Sequence, residues 1–211
     1  MRTHTKETQQ SLTPEKALEI LKEGNERFVN NLKANRNLLQ QVNETSEGQF
    51  PFATILSCID SRTSAELIFD QGLGDIFSIR IAGNILNEDI LGSMEFGCKA
   101  AGSKLLVVLG HTKCGAIYGA CNHVDMGNLT TLLKKVKPAM DSEKDTPEGE
   151  RTGSNDKFVY NVTVNNVNHV LDRIRKESPI LADMEKNGEI KIVGGMYDVE
   201  TGQVTFYEGA A

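Results

Sequence analysis

The sequence predicts an α/β fold in which a mostly parallel central sheet is flanked by helices. Short apolar runs typical of buried strands alternate with longer segments of helical periodicity, and this alternation favours parallel strands joined by crossover helices. A helical pattern precedes the first strand as an N-terminal helical arm, and an antiparallel edge strand is expected near the C-terminus. The chain has 211 residues, so we expect a single domain spanning residues 1–211.

The first half of the chain supplies the arm and three of the strands. The arm covers residues 1–34, and its helix begins with Thr13 as N-cap and Pro14 at the first helical position. Residues 35–50 are polar and predict a loop. The elements predicted next are a strand at 52–57, a helix near 64–70, a strand at 76–81, a helix near 89–101 and a strand at 104–109.

The second half of the chain completes the sheet after a run of helices. A helix opens at Cys114, and a short helix follows near 128–136. Residues 138–157 combine acidic side chains with Pro and Gly, and this composition predicts a flexible surface loop. The remaining predicted elements are a helix near 157–176, a strand at 190–194 and its hairpin partner at 203–208.

Three residues with metal-binding side chains lie just after two of the predicted strands. Cys58 follows the strand at 52–57, and His111 follows the strand at 104–109, with Cys114 three residues later. Ligands of such sheets bind beyond the carboxyl ends of the strands, so these side chains are expected to meet. Two thiolates and one imidazole suit Zn²⁺, and three protein ligands leave a fourth position open, as in catalytic zinc sites. The alternative is that both cysteines are small buried hydrophobes and the histidine is a core residue.

Composition and charge exclude several classes of protein. The formal net charge is −6 and no basic stripe is present, which argues against a nucleic-acid partner. No apolar stretch approaches ~18 residues, so no membrane span is expected. The first residues lack the apolar segment of a signal peptide, and a disulfide framework is not expected among the four cysteines of a chain this long. These observations predict a cytoplasmic location.

A wider pattern surrounds the three candidate ligands. It reads Cys-x-Asp-x-Arg at 58–62 and His-x-x-Cys-Gly at 111–115, and it continues through the segments 80–84, 93–97 and 195–202. This pattern resembles the β-class carbonic anhydrases, and the similarity spans about residues 15 to 208. The resemblance implies a zinc lyase that reversibly hydrates carbon dioxide to bicarbonate and a proton by attack of a zinc-bound hydroxide.

The resemblance also implies a role for two residues beside the zinc ligands. Asp60 would accept a hydrogen bond from the hydroxide and orient it, and Arg62 would hold Asp60 by a charge-assisted pair. The alternative is an ordinary ion pair within a loop. In some members of the family this carboxylate instead becomes the fourth zinc ligand and closes the site.

Three further residues are implied as substrate contacts. Gln49 and Phe77 match members of the family whose site stays open, and the sequence has no Trp for the usual bicarbonate pocket. Gln49 would hydrogen-bond a substrate oxygen, and Phe77 would form an apolar wall for carbon dioxide. Phe96 occupies a position where open-site members commonly have Tyr, so it lacks the hydroxyl. Core packing is the alternative for both phenylalanines.

Competing functions and partners complete the expectations. A carbonyl sulfide or carbon disulfide hydrolase on the same fold is one alternative, and a non-catalytic zinc or thiol-redox protein is another. Asp60 and Arg62 argue against the latter, because structural zinc needs no oriented carboxylate. Relatives pair through the N-terminal helix, so self-association to a dimer or tetramer is expected. Of the other candidates, Cys98 and Cys121 are expected in the core and His123 on the surface.

Overall fold

Five strands form one sheet in the computed structural model, which describes residues 3–207. The strands are β1 Ala53–Ser57, β2 Ile76–Arg80, β3 Leu105–His111, β4 Lys191–Tyr197 and β5 Val204–Phe206. Their order across the sheet is β2-β1-β3-β4-β5; the first four are parallel, and β5 is antiparallel to β4. The predicted fold class is therefore confirmed. Residues 1–2 of the arm and Glu208 of the last strand, which the predictions include, lie outside the described residues.

Helices cover both faces of this sheet. Within residues 3–207 the α-helices are α1 Lys6–Ser11, α2 Pro14–Val29, α3 Leu38–Glu44, α4 Ala65–Ile68, α5 Glu88–Glu95, α6 Gly115–Cys121, α7 Gly127–Leu133, α8 Lys137–Ser142, α9 Asp156–Glu177 and α10 Pro179–Lys186. A π-helical turn, Phe96–Ala100, continues α5, and short 3-10 turns lie at Ala82–Asn84, Lys134–Val136 and Glu148–Glu150. No helix within the described part of the chain is both long and apolar enough to cross a bilayer.

Neighbouring residues of each central strand contact opposite layers. In β1, Ile55 packs with Leu21 of α2 on one face, whereas Leu56 packs with Val167 of α9 on the other. Side chains alternate between the faces of a strand, so both sets are buried and the strand is apolar throughout. The continuous apolar runs of the sequence are the signature of this double burial.

The arm is fastened to the rest of the chain through Asn25 of α2. Its Nδ2 donates to the carbonyl oxygens of Ile68, at 3.1 Å, and Gly202, at 2.9 Å. Its Oδ1 accepts from the backbone N–H of Val204 at 2.8 Å. The amide group of this buried side chain is thereby satisfied by both α4 and the turn that leads into β5.

The helix of the arm ends earlier than predicted, and the polar segment after it contains a helix. α2 ends at Val29, and Asn31 has a φ of 56°, a left-handed conformation that does not continue a helix. The predicted loop at 35–50 contains α3, whose N-cap Asn37 accepts from the N–H of Gln40 at 3.0 Å. The loop prediction is wrong there because a capped, two-turn helix needs little apolar sequence.

The prediction of an irregular loop at 138–157 is also wrong in part. α8 covers its first residues, and the carboxylate of Glu143, only 3% exposed, accepts from the hydroxyl of Thr146 at 3.0 Å and from Nδ2 of Asn161 at 3.1 Å. Arg151 donates to the backbone oxygen of Glu143 at 2.6 Å. Acidic composition suggested solvation, whereas this glutamate turns inward and finds polar partners.

The sequence analysis missed α10, although a local signal was present. Ser178 accepts from the N–H of Leu181 at 3.2 Å, and Pro179 takes the first helical position. A Ser-Pro pair is a typical helix start, and it follows the end of α9 directly.

The order of the strands places a crevice between β1 and β3. The chain leaves β1 outward to β2 and then returns past β1 to β3, so the connections after these two neighbouring strands diverge. A reversal of this kind opens a binding crevice at the carboxyl ends of parallel strands.

Candidate metal centre

Cys58, His111 and Cys114 converge at this crevice. Cys58 directly follows β1, His111 ends β3 and Cys114 is the residue before α6. Lys113 has a φ of 54°, and this left-handed turn lets the chain bring His111 and Cys114 back to one point. One donor atom from each of the three side chains lies within 4.8 Å of the others, and all three residues are buried. The predicted ligand set is thus assembled in space.

The chemistry of this cluster fits a zinc ion. The Nδ1 of His111 lies 2.9 Å from the backbone oxygen of Thr112, so Nδ1 carries the proton and Nε2 presents its lone pair. Nε2 is buried and has no hydrogen-bond partner among the described residues. Buried nitrogen without a partner is costly, and a metal ion would remove that cost. Two sulfurs and one imidazole nitrogen are the donors that zinc prefers.

The two ligand thiols lie within hydrogen-bonding distance of each other. Their sulfurs are 3.9 Å apart, and the thiol of Cys114 hydrogen-bonds to Cys58. This bond lowers the pKa of Cys58, with further support from the N–H of Gly83, and it raises the pKa of Cys114 together with burial. One thiolate is therefore formed readily even before a metal displaces the second proton.

Asp60 and Arg62 form a two-pronged ion pair at the mouth of the cluster. Nε of Arg62 donates to Oδ1 of Asp60 at 2.9 Å, and NH2 donates to Oδ2 at 2.8 Å. The Arg62 hydrogen bonds hold the pKa of Asp60 well below its ordinary value. NH2 of Arg62 also lies 3.3 Å from the backbone oxygen of Lys113, so the pair joins the loops after β1 and β3.

Arg80, which belongs to the segment 80–84 of the family pattern but was given no role there, braces the first of these loops. Its Nε donates to the backbone oxygen of Cys58 at 3.0 Å, and its NH2 donates to that of Asp60 at 2.6 Å. The hydroxyl of Thr63 donates to the same two carbonyls, at 3.1 and 2.9 Å. The position of Arg80 at the end of the neighbouring strand β2 was the available signal.

Asn166 was missed, and Gly83 was named only as part of the segment 80–84 without a role; both act through the backbone. The N–H of Gly83 donates to Sγ of Cys58 at 3.3 Å. Nδ2 of Asn166, on α9, donates to the oxygen of Gly83 at 2.9 Å. No local pattern links residues 83 positions apart; the only sequence signal was an amide at a core-facing helix position.

Gln49, Phe77 and Phe96 lie apart from this cluster in the single chain. Phe77 pairs with Thr54 across β1 and β2, and Thr54 precedes Cys58 by four residues, or about 13 Å of strand. The rings of Phe77 and Phe96 meet edge to face with centroids 6.0 Å apart, and Phe96 is 58% exposed. Gln49 is exposed before β1.

The remaining cysteines and His123 take the places expected of them. Cys98 and Cys121 are buried, and burial raises the pKa of Cys98 to about 12 and that of Cys121 to about 11. Such thiols stay protonated and unreactive at neutral pH. His123 is exposed.

Comparisons with known proteins agree with this geometry. The family model for carbonic anhydrase matches residues 53–204. Carbonic anhydrase 2 of Mycobacterium tuberculosis (strain CDC 1551 / Oshkosh) is 34% identical over 200 residues, which cover 90% of this chain and 91% of the relative.

Solved structures show the same fold. The β-carbonic anhydrase CafA of the fungal pathogen Aspergillus fumigatus matches with a TM-score of 0.70 and 24% identity, over 82% of this chain and 83% of that one. One of two tetrameric β-carbonic anhydrases from the filamentous ascomycete Sordaria macrospora matches with a TM-score of 0.66 and 21% identity, over 81% and 90%. With the family model, the related sequence and these folds in agreement, the chain belongs to the carbonic anhydrase family, and its fold is that of the β class.

Proposed function

We propose that this protein is a zinc enzyme that catalyses the reversible hydration of carbon dioxide to bicarbonate and a proton. The observation that carries the proposal is the convergence of Cys58, His111 and Cys114 beside the Asp60–Arg62 pair. Structural zinc sites are closed by four protein ligands, whereas this cluster offers three. Membership of the carbonic anhydrase family supports the same reaction.

The three ligands would hold the ion, and the ion would supply the nucleophile. When bound, zinc is a Lewis acid that brings the pKa of a coordinated water close to neutrality, an effect for which carbonic anhydrase is itself the standard example. The brace of Arg80 and Thr63 on the backbone at Cys58 fixes the position of the first ligand.

Asp60 has the protonation state that an orienting group needs. Because Arg62 lowers its pKa, the carboxylate is ionised at neutral pH and only accepts hydrogen bonds. A water O–H at the mouth of the cluster would point toward Asp60, which leaves an oxygen lone pair free to face carbon dioxide. Arg62 fixes the carboxylate by its two hydrogen bonds and so limits the directions that this water can take.

The direct test of the proposal is stopped-flow measurement of carbon dioxide hydration. The protein as purified should carry one zinc per chain and accelerate the reaction. Removal of the metal by a chelator should abolish the activity, and one equivalent of zinc should restore it. Protein that holds stoichiometric zinc but leaves the hydration rate at the uncatalysed value would contradict the proposal, and the same sample can then be tested on carbonyl sulfide.

We further propose that Gln49, Phe77 and Phe96 contact substrate across a subunit boundary. Phe77 is about 13 Å of strand from the Cys58 of its own chain, and Phe96 is exposed beside it. This separation within one chain supports an arrangement in which they line the cluster of a second copy. A neighbouring subunit would then give carbon dioxide its apolar wall.

Subunit mixing tests this arrangement. Cys114→Ser protein lacks a ligand, and Phe77→Ala protein lacks the apolar wall, so each alone should be poorly active. Refolding the two together should restore activity, because one site of a mixed dimer would combine an intact cluster with an intact Phe77. Activity no greater than the sum of the separate variants would contradict a shared site.

A reducing compartment suits this chemistry, and we propose that the protein works in the cytoplasm. All four cysteines are unpaired, and the two ligand sulfurs lie 3.9 Å apart. Oxidation of that pair would remove two of the three metal ligands. Fractionation of cells that express the tagged protein, with activity assayed in each fraction, would test the location.

A further inference from the structure

We propose that Asn166 is a positioning residue of the metal centre, which aims the N–H of Gly83 at the sulfur of Cys58 by holding the Gly83 carbonyl. The inference rests on the zinc site proposed above and assigns a function to a residue of α9, outside the ligand loops. Its two hydrogen bonds, from Asn166 to Gly83 and from Gly83 to Cys58, form a continuous buried path.

The geometry of Gly83 makes its two peptide groups sensitive to an anchor. Gly83 has φ 67° and ψ 18°, a left-handed conformation that few other residues adopt. A Cβ at this position would lie 3.3 Å from the Cβ of Ala116, because the backbone packs directly on α6. The N–H of Asn84 closes the turn on the oxygen of Ile81 at 2.9 Å. The Asn166 amide adds the bond that ties this turn to α9.

A buried asparagine at position 166 lowers the stability of the fold unless its amide makes a useful hydrogen bond. Asn166 is 1% exposed and stands between Val162 and Val170 on the core-facing side of α9. Its Oδ1 has no hydrogen-bond partner among the described residues. A buried amide left half-satisfied costs stability, and an aliphatic side chain would avoid that cost. The bond to Gly83 is what the amide provides and an aliphatic residue cannot.

The physical effect on the metal follows from the hydrogen bond to sulfur. An N–H that donates to a thiolate withdraws electron density from the sulfur, so the sulfur donates less charge to the metal. The N–H also fixes the position of the sulfur, and outer groups that orient metal ligands commonly lower metal affinity by about 10- to 100-fold when they are removed. Loss of the Asn166 amide should therefore alter the electronic state of the metal as well as the stability of the fold.

The first measurement uses the unaltered protein loaded with ¹¹³Cd. A hydrogen bond from an amide to a metal-bound sulfur carries a through-bond coupling between the metal and the amide proton. The NMR signal of the Gly83 N–H should show this coupling. Its absence in cadmium-loaded protein would overturn the inference, and protein that binds no cadmium would overturn the proposed zinc site and the inference together.

The second measurement compares two amides of the same helix. Asn166→Leu keeps the size of the side chain and removes the donor, whereas Asn165→Ala removes a neighbouring amide that donates to the oxygen of Ala139 at 3.4 Å. In cobalt-substituted protein, Asn166→Leu should move the thiolate-to-cobalt charge-transfer band to lower energy and lower metal affinity by about 10-fold or more. Asn165→Ala should change neither. An unshifted band with unchanged affinity in Asn166→Leu would overturn the inference. If that variant does not fold, Asn166→Asp, which keeps the shape of the side chain but replaces the donor by an acceptor, is measured in its place against the same two outcomes.

Discussion

At the scale of single residues, the ligand set leads to a prediction about metal content. Cys114→Ser should lose most of its zinc, because a hydroxyl is a far weaker donor to this ion than a thiolate. Cys121→Ser, which changes a buried cysteine at the far end of α6, should keep one zinc per chain. Elemental analysis after gel filtration measures both. Full zinc in Cys114→Ser, or loss of zinc in Cys121→Ser, would show that the ligands have been assigned wrongly.

A second residue-scale prediction separates catalysis from metal binding. Asp60→Asn should retain zinc but lose on the order of 100-fold in kcat/KM for carbon dioxide. A carboxylate only accepts hydrogen bonds, whereas an amide also donates them, so the amide no longer holds the water in one orientation. Arg62→Ala should fall similarly by freeing Asp60.

Glu177→Gln is the matched control for this experiment. It alters an Arg–carboxylate pair of the same two-pronged geometry, with Arg173, at 2.6 and 2.9 Å, on the surface of α9. Its hydration rate should equal that of the parent protein. Parent-like rates in Asp60→Asn would reduce the Asp60–Arg62 pair to an ordinary ion pair of the loop.

The sequence predicts residues of the site where chemistry and strand ends coincide. Cys58 and His111 are recognisable because a soft ligand follows an apolar strand. The roles of Arg80 and Asn166 cannot be recognised in this way, because each side chain donates to a backbone carbonyl. Every residue has a carbonyl, so the sequence does not show which one is bound. The roles of Gln49 and Phe77 remain predictions.

At the scale of elements, the contact of α2 with α4 requires a glycine at position 24. A Cβ built at Gly24 would lie 1.9 Å from the backbone oxygen of Phe69. Alanine is the better helix former by about 1 kcal/mol, yet Gly24→Ala should lower the free energy of unfolding, because one of the two backbones must move.

Gly92→Ala offers the opposite result on α5. No atom lies within 4 Å of a Cβ at this helical position, so the higher helix propensity of alanine is not offset by a clash. Urea unfolding should show stabilisation of about 0.5–1 kcal/mol for Gly92→Ala. If Gly24→Ala were equally stabilising, the close packing of the arm on α4 would be disproved.

A second element-scale prediction concerns the ion pairs that fasten the segment after α2. Asp70, at 6% side-chain exposure, binds Nε of Arg27 at 2.6 Å and NH1 of Arg36 at 2.5 Å. Asp70→Asn would remove a buried carboxylate that pairs with two guanidinium groups, and removal of one partner of a buried pair costs about 3–5 kcal/mol. Asp141→Asn, at an exposed pair with Lys137, should cost at most about 1 kcal/mol.

The pH dependence of this effect has a definite sign. Burial raises the pKa of Asp70, but the hydrogen bonds from Arg27, Ala34 and Arg36 outweigh it and hold the pKa below its ordinary value. The stabilisation is therefore present above the unfolded-state pKa of about 3.9 and is lost as the pH falls through the lower folded-state pKa. The free energies of unfolding of the parent and Asp70→Asn proteins should differ at pH 7 and become equal in acid.

The predicted elements agree with the structure where an apolar pattern defines them. All five strands were anticipated: β1, β3 and β4 are compact apolar runs, and β2 and β5 alternate apolar with polar residues. α3 and α8 were not, since short helices are set by their caps and tertiary partners more than by periodicity. The buried Glu143 shows the same limit, because composition does not reveal which way a charged side chain turns.

At the scale of the whole molecule, exposed apolar residues predict self-association. Leu21 of the arm is buried against the sheet, whereas Val29 and Leu32 at the end of the arm are exposed. The exposed group includes Leu32, Leu38 and Leu39, at 64%, 56% and 72% exposure. Light scattering at micromolar concentration should give a dimer or a larger even assembly.

Charge substitutions in this group test the surface. Leu38→Glu with Leu39→Glu should lower the measured mass, whereas Met126→Glu, at an equally exposed apolar residue elsewhere, should leave it unchanged. A monomeric parent protein would contradict self-association, and an unchanged mass in the double variant would place the contact on another face. Stable interfaces of this kind bury about 2,000 Å² or more.

The attachment of Asn25 has a consequence for how the protein is made. Its partners at Gly202 and Val204 follow it by 177 and 179 positions in the chain. At translation rates of roughly 5–20 residues per second, the early helix is on the ribosome for about 9–35 s before those partners exist. The arm can pack on β1 and α4 early, but its attachment to Gly202 and Val204 must be one of the last events of biosynthesis. We therefore expect nascent chains stalled before Gly202 to hold the arm less firmly, and so to be cut there by proteases faster than the complete chain.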